Sequence, residues 1–217
     1  MEAIMIAKQE HPNEDSWQHY LRYGERLYKK RNSVIYCQGE EGAGIYFLSK
    51  GMIKIVTYSH QGDERILDLF GSGQLFGEQA VDKQYYCTTA LALEDCIIYY
   101  FPNRILKELL ISSPELIDLL MESLTQKIRN LSTSIMQNAY SAEQRVAITL
   151  IKLSRVYKNG EIYITQQDLA DYTGLTRISV YKILRKWKCE HIIDNRNKVI
   201  YIKKPELLRL MCPGQLN

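Results

Sequence analysis

One stretch near the C-terminus, residues 164–187, constrains the chain more than any other. Thr165 stands where an N-cap hydroxyl can meet the first free amides of a helix, and Asp168 follows at the spacing of a capping box. Leu169 and Ala170 give this short helix an apolar side, and Gly174 breaks it. Thr176 offers a second N-cap, after which Val180, Ile183, Leu184 and Trp187 recur at the 3, 4 and 7 spacing of one buried helical face. Two capped helices joined by a glycine turn read as a helix-turn-helix. In that motif the second helix enters the major groove and its first turns meet base edges. The candidate DNA-contacting residues are therefore Thr176, Arg177, Ile178, Ser179, Tyr181, Lys182 and Arg185, with Gln167 on the preceding helix. A surface helix with a solvated basic face is the plainer alternative. Caps, turn, apolar spacing and charge all agree with the first reading.

The charge distribution supports it. Residues 141–217 carry 14 Lys/Arg against 7 Asp/Glu, a balance of +7, whereas residues 1–140 carry 14 against 18, a balance of -4. The basic excess lies in the segment that holds the motif, as expected of a phosphate-binding module. The five cysteines, Cys37, Cys87, Cys96, Cys189 and Cys212, are scattered and odd in number, which argues against a disulfide framework or a local zinc site. His11 and His19 stand eight positions apart with no cysteine near them and read as surface residues, so no metal site is expected. The absence of an apolar run of membrane-spanning length and of a signal-peptide pattern predicts a cytoplasmic protein with no membrane partner.

Between Gly24 and Phe101 the texture is of short β-rich runs at 33–36, 44–48, 52–58, 65–70, 89–93 and 96–101, separated by glycines. This spacing predicts an antiparallel barrel or roll, with a hairpin loop at 59–63. Residues 1–23 give no clear pattern. A short helix is expected at 103–111 and a long one from about Pro114 to Asn138. On the long helix Ile117, Leu120, Leu124, Ile128, Leu131 and Ile135 form a heptad-like seam, read as a parallel dimer interface. Leu116, Leu119 and Met121 are further apolar positions through which the helix could also pack on its own roll. Ser141 is a plausible N-cap for a helix over 144–157. After the helix-turn-helix, residues 192–202 read as a hairpin, which makes the module winged, and Lys198, Lys203 and Lys204 could meet backbone phosphates. The expected class is α+β: an N-terminal antiparallel β-roll of jelly-roll type (1–113), a dimerisation helix and hinge (114–140), and a C-terminal winged helix-turn-helix (141–217).

In this order the chain resembles the CRP/FNR family of bacterial transcription regulators. The stretch from Phe47 through Gly62 to Gly73-Gln-Leu-Phe-Gly-Glu78 is similar to that family's cyclic-nucleotide-binding roll. The segments at 141–150 and 169–184 are similar to its first DNA-domain helix and its helix-turn-helix. The resemblance implies a homodimer that binds a palindromic operator on double-stranded DNA, in a family made up mostly of activators that touch RNA polymerase but also of repressors. It also implies an effector region at Gly77, Glu78, Gln79, Cys87, Thr88 and Thr89. No nucleophile and base, paired carboxylates or metal cluster stands at a recognisable spacing, so no enzyme is expected.

Two departures bear on the effector. Cyclic-AMP-binding members place an arginine before a Ser or Thr about ten residues after Gly-Glu, and here that position falls on or beside Cys87. Without a cation a buried cyclic phosphate lacks its charge partner, which argues against cyclic AMP. No cysteine precedes Cys37, which argues against the N-terminal cysteines of an iron-sulfur cluster. Haem or another small effector stays open, as does a redox switch at Cys87 or Cys96, although strand-like apolar surroundings predict buried, inert thiols there. The recognition helix departs as well. Many members hold Arg, Glu and a later Arg where this chain has Arg177, Ile178 and Lys182. Arg177 can pair with guanine, but Ile178 cannot accept from a cytosine amine and suits a thymine methyl.

Overall fold

The computed structural model describes residues 14–81, 84–157, 160–196 and 199–212. These divide between Thr133 and Ser134 into two compact units, inside one long helix.

The first unit opens with helix α1 (Glu14–Leu21), followed by strands β1 (Glu25–Lys29), β2 (Val34–Tyr36), β3 (Gly44–Lys50), β4 (Met52–Tyr58), β5 (Glu64–Gly71) and β6 (Gln74–Phe76). A single helical turn at Glu78–Ala80 leads to β7 (Thr89–Ala92) and β8 (Cys96–Pro102), and helices α2 (Asn103–Ser112) and α3 (Glu115–Gln137) follow. The strands form two antiparallel sheets, in the orders β1-β8-β3-β6 and β2-β7-β4-β5, which is the expected roll. The β4–β5 turn closes where Ser59 donates its amide to Asp63 O and Gly62 takes φ +86.

Period-2 alternation explains why β3 is buried on both faces. Tyr46 and Leu48 point into the roll, while Ile45 and Phe47 point the other way, into a second cluster with Trp17, Leu75, Phe101, Leu106 and Leu116. β8 does the same, sending Cys96 and Ile98 inward and Phe101 outward. The outer cluster is roofed by α1, α2 and the start of α3. Trp17 anchors α1 by stacking on Phe47 at 5.5 Å between ring centroids and meeting Phe101 edge-on. Two strands and this helix are additions to the sequence expectation. β1 and β6 are five and three residues long, with pairing to β8 and β3 rather than apolar patterning to mark them.

The second unit contains α4 (Ala142–Val156), β9 (Glu161–Tyr163), α5 (Gln166–Thr173), α6 (Arg177–Cys189), β10 (Ile193–Arg196), β11 (Val199–Ile202) and α7 (Pro205–Leu210). Its N-caps are those expected. Ser141 and Gln144 form a complete capping box on α4, Thr165 Oγ1 accepts from Asp168 N, and Thr176 Oγ1 accepts from Ser179 N. Gly174 ends α5 in the left-handed conformation at φ 65, which lets the chain turn sharply into α6. The small antiparallel sheet β10-β11-β9 is the wing; Lys198 and His11 lie outside the described residues.

Candidate nucleic-acid interface and sensor region

α6 owes its position to Val180, Ile183, Leu184 and Trp187, all buried among α4 and α5. Burying that face turns the opposite one outward. Arg177, Ile178, Tyr181, Lys182 and Arg185 are exposed there, and none of the three cations is held in an ion pair with a described residue. Thr176 and Ser179 are used differently. Their hydroxyls lie 2.9 Å apart at the cap, where Thr176 Oγ1 also accepts from Ser179 N, so they shape the start of the helix. Gln167 is exposed on α5 and donates to Asp171 Oδ1 at 2.8 Å. Lys186 is drawn aside to Glu143 on α4 at 2.8 Å, and that carboxylate raises its pKa by hydrogen bond and charge. Arg196 and Lys188 both pair with Asp194 on the wing, which holds that carboxyl low against the cost of desolvation.

In the first unit the residues expected at the effector site gather at one end of the roll but face different ways. Glu78 turns to α3, where its carboxylate is ion-paired to Lys127 and accepts from Ser123 Oγ at 3.1 Å. Gln79 Nε2 donates to Thr88 Oγ1 at 2.7 Å, and Thr89 Oγ1 accepts from Gln38 N at 2.9 Å. Gly77 is buried at φ +82 against the Tyr46 ring. Cys87 corrects the sequence reading: it lies exposed in the bend before β7, not in apolar surroundings. Cys96 is buried as expected, its thiol pushed up to about 11 by burial.

The residue that enters the roll beside Cys87 is Tyr86. It stacks on Tyr36 at 4.0 Å between centroids and donates its hydroxyl to Gly44 O at 2.8 Å. Tyr36, Tyr46, Phe76 and Tyr100 continue a contiguous aromatic stack through the interior. Burial pushes the phenols of Tyr36 and Tyr46 far above the ordinary tyrosine value, so both stay neutral. The sequence signal for this stack was the composition, 16 Tyr against 4 Phe. A groove of about 550 Å³ runs outside the roll between β5–β6 and α3, with Phe70, Leu75, Met121, Lys127 and Arg129 in its walls.

Along α3, Leu116 is buried in the outer cluster and Leu119 half-buried against it, so the helix does pack on its own roll. The seam residues Ile117, Leu124, Ile128, Leu131 and Ile135 are nonetheless exposed, and Leu120 is half-buried. Among the described residues no group of three or more potential metal ligands comes together, and no helix is long and apolar enough to cross a membrane.

A jelly roll followed by a long helix and a winged helix-turn-helix with an outward cationic recognition face defines a DNA-binding regulator. Residues 26–113 match the cyclic nucleotide-binding domain and residues 144–211 the Crp-like helix-turn-helix domain. The chain belongs to the CRP/FNR family of transcription regulators. It is 28% identical to the fumarate and nitrate reduction regulatory protein of Vibrio cholerae over 88% of this chain and 76% of that protein. It is 25% identical to the cAMP-activated global transcriptional regulator CRP of Pasteurella multocida, over 81% of this chain and 88% of that one. In fold it is similar to FixK2 from Bradyrhizobium japonicum, with a TM-score of 0.78 at 17% identity, covering 87% of this chain and 97% of that structure.

Proposed function

We propose that the chain acts as a homodimer on a palindromic operator, with residues 1–113 as sensor, 114–140 as dimerisation helix and hinge, and 141–217 as DNA-binding domain. The observation that carries this reading is the stripe on α3, where Ile128 is 64% and Ile135 71% exposed although they repeat at the spacing of a helix seam. Pairing with a second copy removes such a stripe from water. A parallel pair related by a two-fold axis presents two α6 helices to half-sites about 34 Å apart, one turn of DNA. Arg177 then reads guanine, Lys182 meets guanine or phosphate, Arg185 and Lys198 meet phosphates, and Gln167 lies at the groove edge. The family supports a cytoplasmic activator that touches RNA polymerase.

The roll does not fit a cyclic nucleotide. Tyr86 and Cys87 stand where the resemblance expects the arginine, aromatic rings occupy the interior, and the cation nearest Glu78 is already committed to it. We read Gly77, Glu78, Gln79, Thr88 and Thr89 as structural, with control through a different small effector or through the exposed Cys87. The packed stack also favours a second reading, a constitutively active regulator.

Sedimentation of the wild type and of Ile128→Glu, combined with binding to a selected operator, tests the dimer. The wild type should be dimeric. The variant should be monomeric and lose operator affinity while keeping weak, salt-dependent binding to random duplex. A monomeric wild type, or undiminished operator binding by Ile128→Glu, overturns the reading.

A further inference from the structure

Ile178 occupies the centre of the outward face of α6. Nine positions separate it from Trp187, and at about 100° per residue that is about two and a half turns, which puts the two on opposite sides of the helix. Trp187 is wholly buried, so Ile178 sits at the point of the helix farthest from the core, and it is 67% exposed. Tyr181 follows one turn later on the same side and is 48% exposed. Arg177, Lys182 and Arg185 surround the pair and are all exposed. An apolar centre inside a ring of cations matches a polyanion that displays apolar groups. In the major groove the apolar group on a base edge is the 5-methyl of thymine.

We infer that Ile178 and Tyr181 form a reader of pyrimidine 5-methyl groups. Its ligand is duplex DNA with thymine, or 5-methylcytosine, at the steps these side chains meet. The inference rests on the reading of α6 as the recognition helix. Three residues advance about 4.5 Å along a helix and one base step about 3.4 Å, so the two side chains address neighbouring steps. 5-Methylcytosine carries the same methyl at the same ring position, so cytosine methylation at such a step strengthens binding. Burying one methyl is worth about fourfold in affinity, and two symmetric half-sites together about fifteenfold.

The test begins with an operator selected from random duplexes by the full-length protein. Each of its thymines is replaced, symmetrically in both half-sites, by deoxyuridine, which removes only the methyl, and affinity is measured at one salt concentration. One or two symmetric positions should lose about fifteenfold. At such a position, a cytosine-for-thymine operator should regain affinity when the cytosine is 5-methylated. Ile178→Ala should bind the thymine and uracil forms of its step equally, and Tyr181→Ala should do so at the neighbouring step. Both side chains are exposed, so unchanged melting curves confirm that these variants fold. Uracil tolerated at every position, or a full uracil penalty retained by both alanine variants, overturns the inference while salt-dependent operator binding leaves the regulator reading intact. Absence of any salt-dependent duplex binding overturns both.

Discussion

Lys127→Met cuts one of the contacts that tie α3 to the roll. Lys127 Nζ is ion-paired to Glu78, donates to Leu75 O at 2.9 Å and lies 5.0 Å from the centre of the Phe70 ring. The Glu78 side chain is only 7% exposed, against 22% for Lys127. Removing one partner of a buried pair leaves an uncompensated charge and costs about 3 to 5 kcal/mol. Lys127 keeps a wet edge that screens part of the interaction, and methionine refills the volume of the lysine stem. The expected loss is therefore about 2 to 3 kcal/mol, or a fall of about 4 to 12 °C in the melting midpoint of a chain this size. Calorimetry or denaturant titration at one fixed protein concentration measures it, because mass action makes the midpoint of a dimer concentration-dependent. Adding Glu78→Gln should restore much of the loss, since an amide needs only Ser123 and no cation, and the cycle should give a coupling of about 1 to 3 kcal/mol. Simple additivity of the two substitutions, or a loss from Lys127→Met below about 0.5 kcal/mol, would refute the reasoning.

Three further outcomes are expected. The Tyr28 hydroxyl at 2.6 Å and the Arg31 amide at 2.9 Å hold Asp95 below its ordinary 3.8. A depressed folded-state pKa means this contribution is present above pH 3.8 and is lost as pH falls through the lower folded value, so Tyr28→Phe should raise the Asp95 midpoint in a carboxyl NMR titration. An unmoved midpoint would count against the hydrogen bond as its main cause. Gly77→Ala places a Cβ 3.0 Å from the Tyr46 ring at φ +82, and should destabilise by more than about 1 kcal/mol in thermal melts. Arg177→Ala should weaken operator binding by about 1 to 3 kcal/mol and relax preference at one base pair in a selection experiment, whereas a uniform loss across all sequences would make it a phosphate contact.

The helix-turn-helix was legible because its signals are local. Thr165, Thr176 and Gly174 cap and turn the backbone within four residues of themselves, and the caps form where the spacing placed them. The larger strands were legible because glycine turns bound their apolar runs. Helix α1 and strands β1 and β6 were not. Trp17 acquires its role only from Phe47 and Phe101, and the largely exposed β1 is made a strand by its pairing with β8. On the recognition helix the sequence proposed seven contacts, and the structure shows how differently their side chains are held. Thr176 and Ser179 are absorbed in the cap, while Ile178 and Tyr181 stand out with the cations.

The order of modules, the caps, the basic half and the apolar stripe on α3 can be read from the chain alone, because each depends on residues a few positions apart or on counted charge. The fate of the sensor end is set by long-range packing. Whether Glu78 faces a ligand or Lys127, and whether Tyr86 or Cys87 enters the roll, depends on contacts between residues 45 to 50 positions apart. The adjacent pair Gly77 and Glu78 cannot by itself encode that choice. It is settled by the close packing of aromatic rings and by the cost of leaving a buried carboxylate without a cation.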